Sequence, residues 1–489
     1  MTETNDRSIN IEYKPHRWHT MTSYGFGKFA AEFFTLAFTT YCFYFYETVV
    51  GLDSWWVMSG YIIYAVWNSI NDPLIGYLTN RVIKGRVTEK YGRRFPYILI
   101  GGIPWAFTYL IIFTPPNLDP NQYGWVLFLW LTIFSCIFDT LYSLWDVQYQ
   151  AIFPDKFRGA NERRKAAGIA TIVGIFGVAL GALIPPMFLE NDVLREYFNQ
   201  GAIVSAIGFI AILLLLPSLK EDKFQKAKFE QSLRNEKEQG STSFFKDMLY
   251  SLKNRNLMAF LLLYFLYQSL TQSMTGSIPY YVKYVLDLPQ TSVTMVMAGF
   301  LVGALISIPL WIMLANKLRN NQRLILIGGF LLAAATTPFI FLDQSYSITI
   351  GSFVISAYYI VIACMVIWGA ILGLFWSLTG PVMADVIDEI VVQTKVRKEG
   401  TYMGLRAFFG RLAFVVQAVS FAVVHKVTGF IEDADLILQP PEAIFGIHIH
   451  IAIIPIILML LGTILFWILN DLNPKKNDVI KNQLEELGL

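Results

Sequence analysis

With 489 residues, 55% of them hydrophobic and only 15% charged, the chain has too few ionic side chains to coat a water-soluble protein of its size, for which roughly a quarter charged is usual. Lipid must therefore solvate part of its surface, and a net charge of +2 argues against nucleic acid as a partner. The three cysteines, Cys42, Cys136 and Cys364, each stand alone inside an apolar stretch, so neither a disulfide framework nor a metal site is suggested.

Residues 1–23 include no hydrophobic core and no small-residue cleavage site, and they read as a cytoplasmic tail and not as a signal peptide. From there, apolar runs near the ~20-residue spanning length recur at 24–50, 55–80, 95–114, 123–152, 166–189, 198–217, 256–285, 291–315, 323–342, 352–384, 401–429 and 448–470. Several exceed the minimum, which tilt accommodates. Because an unpaired peptide group is so costly in lipid, only helices or a closed barrel can span it, and runs this continuous mean helices. The expectation is an all-α membrane protein of about twelve transmembrane helices.

Arg81, Lys84, Arg86, Lys90, Arg93 and Arg94 crowd the loop between the second and third spans, and Lys156, Arg158, Arg163, Arg164 and Lys165 that between the fourth and fifth. The opposite loops, such as TPPNLDPNQYG and LDQSYS, carry no lysine or arginine. By the positive-inside rule both termini are expected in the cytoplasm, with the chain multi-pass in the cell membrane. The charged stretch 218–255 falls halfway through the spans and reads as a cytoplasmic linker between two six-helix halves, 24–217 and 256–470. Residues 471–489 are expected to form a cytoplasmic tail.

A shift of ~236 residues superposes the first two spans on the seventh and eighth, a weak internal repeat of the kind found in two-half transporters. YFYETVVGL (44–52) meets YYVKYVLDL (280–288), and Pro73 meets Pro309. The mismatches are informative: Glu32 meets Gln268, Asn68 meets Ala304, Asn71 meets Ser307 and Asp72 meets Ile308. A scaffold role should tend to recur in both halves, so the polar residues of the first half are read as functional; drift of a distant repeat is the bland alternative.

An ionisable side chain at the bilayer centre costs at least ~3 kcal/mol and needs a reason to be there. Counting 1.5 Å per residue from the nearest cytoplasmic boundary puts Glu32, Asp72, Asp146 and Arg411 ~12 to 15 Å deep, close to the midplane. Four charges from four helices at one depth suggest one shared site. Asn68, Asn71 and Asp72 lie on neighbouring parts of one helical face, and Ser143 and Asp146 stand in a similar relation on the fourth span. Two amide oxygens, a hydroxyl and two carboxylates would cage a small hard cation such as sodium. The alternative is a structural ion triad in which Asp72 and Asp146 neutralise Arg411. Asp139 is two turns before Asp146, and nothing in the sequence around it decides its role. His425, His448 and His450 are expected at the extracellular membrane interface, and Asp385 and Asp388 in gate salt bridges with Arg397 or Lys398. No loop carries a His/Cys/Asp cluster, a P-loop or a nucleophile motif, so neither an enzyme nor an ATP-driven pump is expected.

SYGFGKFAAEFF, NSINDPLIGYLTNR with KYGRRFPYILIG, and LFWSLTGPVMADVIDE through EGTYMGLRAFFGRLAF together resemble the glycoside-pentoside-hexuronide:cation symporters of the major facilitator superfamily, over essentially the whole chain. FFGRL and PVMADVID are also similar to the sodium-dependent lysophospholipid symporters. The resemblance implies two pseudo-symmetric six-helix bundles that alternate access to a central site. It implies a cation site, with sodium at Asn68, Asn71, Asp72 and Asp146 and with Ser143 beside them. It also implies solute contacts from Glu32, Asp146, Tyr149, Gln150, Trp376 and Arg411, and coupling through Arg411 and Asp72. Three positions depart from the family pattern: Asn68 replaces an acid, Arg411 replaces a lysine, and Thr171 stands where an arginine usually serves the sugar. The expected function is sodium-coupled symport of a sugar or glycoside-like solute, with proton coupling or a lysophospholipid substrate as alternatives. Expected partners are that solute, a monovalent cation and the bilayer, with no cofactor beyond the co-transported Na+ or H+. Glu32, Asp72 and Asp146 outnumber Arg411 by one charge, so one bound cation would neutralise the site.

Overall fold

The computed structural model describes residues 15–79, 86–92, 94–157, 160–190, 193–220, 252–350, 353–394, 399–432 and 438–487. Residues 1–14 of the expected tail 1–23, most of the linker (221–251) and Arg397 with Lys398 lie outside the described residues. The apolar runs fold as helices: α1 (Trp18–Tyr44), α2 (Ser54–Leu78), α3 (Phe95–Ile112), α4 (Pro120–Lys156), α5 (Ala160–Leu183) and α6 (Leu194–Leu219) form the first half. The second comprises α7 (Arg255–Tyr280), α8 (Val293–Leu318), α9 (Asn321–Thr336), α10 (Ala357–Thr394), α11 (Glu399–Thr428) and α12 (Pro441–Leu469). Ten of these are apolar as well as long enough to cross a membrane. The remaining two, α1 and α2, are 27 and 25 residues long and carry the polar residues singled out above.

The repeat at 236 residues is real in the backbone. A π-helical turn at Phe45–Val49 ends α1 and another at Tyr281–Val285 ends α7, the same positions after the shift. Each is followed by a left-handed residue, Gly51 at φ 75° and Asp287 at φ 52°. Glycine adopts that conformation freely, whereas aspartate is one of the few side chains that tolerate it. The reverse bonds match too, Leu52 N to Tyr46 O at 2.9 Å and Leu288 N to Val282 O at 3.0 Å. Helix pairing repeats likewise. In the first half α1 packs on α5 and α6, α2 on α4, and α3 on α4 and α6; in the second α7 packs on α11 and α12, α8 on α10, and α9 on α10 and α12. The halves meet through α1 with α7, α2 with α11 and α5 with α8.

Several boundaries differ from the sequence-based ones: α1 starts at Trp18, inside the expected tail, and α10 runs on to Thr394. The tenth span begins later than residue 352, because Ser347–Ile350 and Phe353–Ser356 pair as an antiparallel hairpin before α10 starts. This stretch is rich in β-branched residues (Ile348, Thr349, Ile350, Val354, Ile355), which favour a pleated strand. The C-terminal segment is a further helix, α13 (Pro474–Leu487), held under α10 by Lys476 Nζ at 2.6 Å from Glu389 and 2.7 Å from Asp471. Burial works against the charge of Asp471, but hydrogen bonds from Lys476 and Asn256 outweigh it and hold the carboxyl below its usual range.

At one end of the bundle, where α1 turns into α2, a buried polar seam joins the halves. Glu47 receives hydrogen bonds from Ser54 Oγ of its own half and from Tyr280 OH across the interface, and its carboxylate lies 2.9 Å from His425 Nδ1. Lys426 Nζ reaches Asp53 at 2.6 Å and Glu432 at 2.8 Å. The three histidines are not interfacial as expected. His425 and His450 are fully buried with their rings 4.7 Å apart, and His448 is buried with Nδ1 2.8 Å from Phe339 O. A helix end next to a loop meets the lipid headgroups only on its outer face; these side chains turn inward.

Close helix contact relies on small residues, since apolar burial does not drive association inside lipid. A Cβ on Gly303 would stand 2.0 Å from Val366 O, and one on Gly369 2.0 Å from Phe300 O, so α8 and α10 touch backbone to backbone. Gly303→Ala is expected to destabilise the folded protein by about 1–3 kcal/mol, seen as a lower melting temperature in detergent. Gly168→Ala, inside α5 with nothing within 4 Å, should instead be neutral or stabilising by up to about 1 kcal/mol.

Candidate functional site

The midplane residues sort into two neighbouring clusters and not into one. The first sits between α2 and α4. Asn71 Nδ2 donates to Asp139 Oδ2 and to Ser143 Oγ, each at 3.0 Å. Asp139 and Ser143 are four residues apart and share a helical face. All three are buried, as is Asn68. Arg411 approaches from the other half, its Nη1 donating to the backbone carbonyl of Asn68 at 3.0 Å. Asp72 belongs to α2, but its side chain lies outside the described residues.

The second cluster lines two adjoining cavities of about 620 and 340 Å³ that share Lys28, Glu32 and Thr171. Lys28 and Glu32 are one turn apart on α1 and so project to the same side. Asp146, Tyr149 and Gln150 of α4 line the smaller cavity, where Gln150 Nε2 donates to Asp146 Oδ2 at 2.6 Å. Tyr149 is committed elsewhere by its hydroxyl: it donates to Tyr24 O, Tyr24 OH donates to Tyr149 O, both at 3.1 Å, and the rings stack at 4.4 Å. Its ring therefore clamps α1 to α4 while forming the cavity wall. Trp376 lines the larger cavity edge-on to Phe300.

Sequence reasoning missed or left undecided four charged groups. Asp139, with no distinguishing neighbours along the chain, is the carboxylate that Asn71 holds. Lys28 donates to Thr171 Oγ1 at 3.4 Å, placing a cation from α1 beside the position where the fifth helix was noted to lack its arginine. Arg406 lines the larger cavity with its guanidinium 4.7 Å above the Tyr264 ring. Glu47 closes the end seam, and a charge inside the repeated YFYETVVGL segment was the available signal. Arg411, expected at the solute, does not line either cavity. Asp385 accepts from Gln322 and Asn477, each at 3.0 Å.

The family described as MFS/sugar transport protein matches residues 23–471. A sodium-dependent lysophosphatidylcholine symporter of Danio rerio is 23% identical over 437 residues, covering 82% of this chain and 76% of that protein. An isoprimeverose transporter of Lactiplantibacillus pentosus is 20% identical over 467 residues, covering 94% and 90%. Among solved structures, a D-xylose-proton symporter superposes with a TM-score of 0.62 at 14% identity, covering 92% of this chain and 97% of that one, a likeness of fold. Twelve helices in two matched halves and a family match over nearly their whole extent lead to one conclusion: the chain belongs to the MFS/sugar transport protein family, and it is a secondary active transporter and not an enzyme.

Proposed function

We propose that the chain is a symporter that couples a small cation, sodium by preference, to the movement of a sugar or glycoside-like solute by alternating access. The observation that carries the solute class is the lining of the larger cavity. It combines hydroxyls and amides (Thr35, Thr171, Gln268, Gln272, Ser377) with the indole of Trp376 and the charges of Lys28, Glu32 and Arg406. A sugar hydroxyl both donates and accepts, so amide, hydroxyl and charged partners together suit a polyhydroxylated ring, and the flat indole suits its apolar face. The volume falls within the ~300 to 1,000 Å³ of small-molecule sites. In this reading Glu32, Asp146 and Gln150 hold the solute with Lys28 in the role of the missing arginine, and Tyr149 and Trp376 shape the wall. The name of the isoprimeverose relative supports a sugar.

Sodium coupling is supported by the name of the Danio rerio relative and by the oxygen-rich face of α2 and α4, with Asn68, Asn71, Asp72, Ser143 and Asp146 as the proposed cation site. Glu32, Asp72, Asp139 and Asp146 outnumber Lys28, Arg406 and Arg411 by one, so the reckoning of a single excess negative charge survives the added residues. Arg411 is proposed, with Asp72, to couple the halves. Both termini are taken to face the cytoplasm, on the distribution of lysine and arginine.

A second reading, a sodium-dependent carrier of a lysophospholipid, is favoured by an apolar strip beside the polar groups, formed by Ile175, Val178, Ile308 and Ile312.

Proteoliposomes with an inward sodium gradient are expected to accumulate a labelled pentose, hexose or glycoside well above equilibrium, and collapse of the gradient should abolish accumulation. Uptake of lysophosphatidylcholine with no response to any sugar would select the second reading; accumulation indifferent to sodium would reject sodium as the coupling ion. Glu32→Gln is expected to weaken solute binding about 10- to 100-fold, the loss of a charge-assisted hydrogen bond worth ~1.5 to 3 kcal/mol, measured by displacement of a bound labelled solute at saturating sodium.

A further inference from the structure

We propose that Asp139 supplies a carboxylate ligand of the coupling-cation site, together with the amide oxygens of Asn68 and Asn71 and the hydroxyl of Ser143. The inference rests on the cation-coupled reading above and adds to it a residue from a position that neither the spacing of the motif nor the family resemblance had singled out.

Hydrogen-bond bookkeeping points there. Asn71 spends both amide hydrogens on α4, one on Asp139 and one on Ser143. That fixes the rotamer of the amide and turns donors, not its carbonyl, toward the acid. The carbonyl Oδ1 of Asn71 is then buried with no hydrogen-bond partner, and so is Oδ1 of Asn68 one turn earlier on the same helix. A buried acceptor left unmatched costs ~1 to 3 kcal/mol, and two of them beside a buried carboxylate is an unusual expense for a scaffold. With the Asn71 amide turned over, so that Oδ1 replaces Nδ2 on the α4 side, a desolvated small cation would match these oxygens together, since hard cations take oxygen ligands and neutral amides moderate the affinity. Asp139 also answers the departure at Asn68: where the fold has an amide on α2, a carboxylate faces Asn71 from α4, so the charge has moved across the helix pair and has not been lost.

Asn68 further connects the site to the opposite half. Its side-chain oxygen is buried without a hydrogen-bond partner, while its backbone oxygen accepts Arg411 Nη1 from α11. Tyr64, one turn before Asn68, lies close enough to interact with both Asp139 and Arg411. A cation at Asp139 therefore sits within the electrostatic neighbourhood of the hydrogen bond that links Arg411 to α2. Asp146 is distinguished from Asp139 by its partners: it accepts from Gln150 and lines the solute cavity.

The test is a melting-temperature titration of the purified full chain in detergent against sodium and lithium at constant ionic strength, with choline as the balancing cation. The parent is expected to show saturable stabilisation by sodium, and Asp139→Asn to raise the half-saturating concentration at least tenfold. Ser143→Ala and Asn68→Ala, which each remove one neutral ligand and keep the carboxylate, should raise it about threefold or more. They carry the test if Asp139→Asn does not fold. A half-saturation unchanged in Asp139→Asn, or in both neutral variants where it does not fold, overturns the assignment while leaving sodium coupling intact. A parent that melts at the same temperature in sodium, lithium and choline overturns the assignment and the cation-coupled reading together.

Discussion

Charge inside a bilayer is tolerated only when something nearby answers it. Water is absent, and the alternatives are a counter-charge, a set of dipoles or an ion brought in from outside. This constraint organises the molecule. Four acids of the spanning helices are each answered in a different way: Glu47 among hydroxyls and an imidazole, Asp139 beside an asparagine amide, Asp146 beside a glutamine, and Glu32 one turn from a lysine. For Glu47 and Asp139 the answering groups come from another helix or the other half, and for Asp146 and Glu32 they come from one turn away on the same helix. Twofold-repeated packing provides the frame, and it is the departures from the repeat that place chemistry in the first half.

Much of the architecture was legible along the chain. Run lengths marked the spans, and the 236-residue repeat paired the segments 44–52 and 280–288, in which the structure places matching π-helical turns and left-handed residues that the sequence had not announced. The polar face of α2 was equally legible, since helical spacing alone determines that Asn68 and Asn71 are neighbours. What spacing does not encode is which helix faces which. Asp139 looked undistinguished because its partner is 68 positions away on α2. Lys28 was overlooked because its relevance comes from Thr171, 143 positions on. One shared midplane site became two clusters for the same reason: equal depth is a coordinate along the membrane normal and carries no information about lateral position.

The histidines teach a related lesson. A residue near a helix end, close to a loop, can face headgroups or face the seam between halves, and both are the same distance from the membrane surface. Only the packing of α7, α11 and α12 on one another, with Glu47 after α1 meeting His425, decides, and it turns His425 and His450 into the interior. The close approach of α8 to α10 through Gly303 and Gly369 shows the complementary strategy. Within the second half α8 and α10 meet on bare backbone, whereas at the Glu47 seam the two halves are joined by polar side chains.

That contrast has a consequence for the end of the bundle closed by Glu47. Its seam is hydrophilic: Tyr280, His425, Ser54, Lys426, Asp53 and Glu432 all meet there through hydrogen bonds or ion pairs. Parting it trades internal hydrogen bonds for bonds to solvent, an exchange whose net cost per bond is small. In the alternating access proposed above, opening at this end is then in part a wetting event, the hydration of the Glu47 cluster, alongside the parting of the rings of Phe43, Phe421 and Phe430 packed around it.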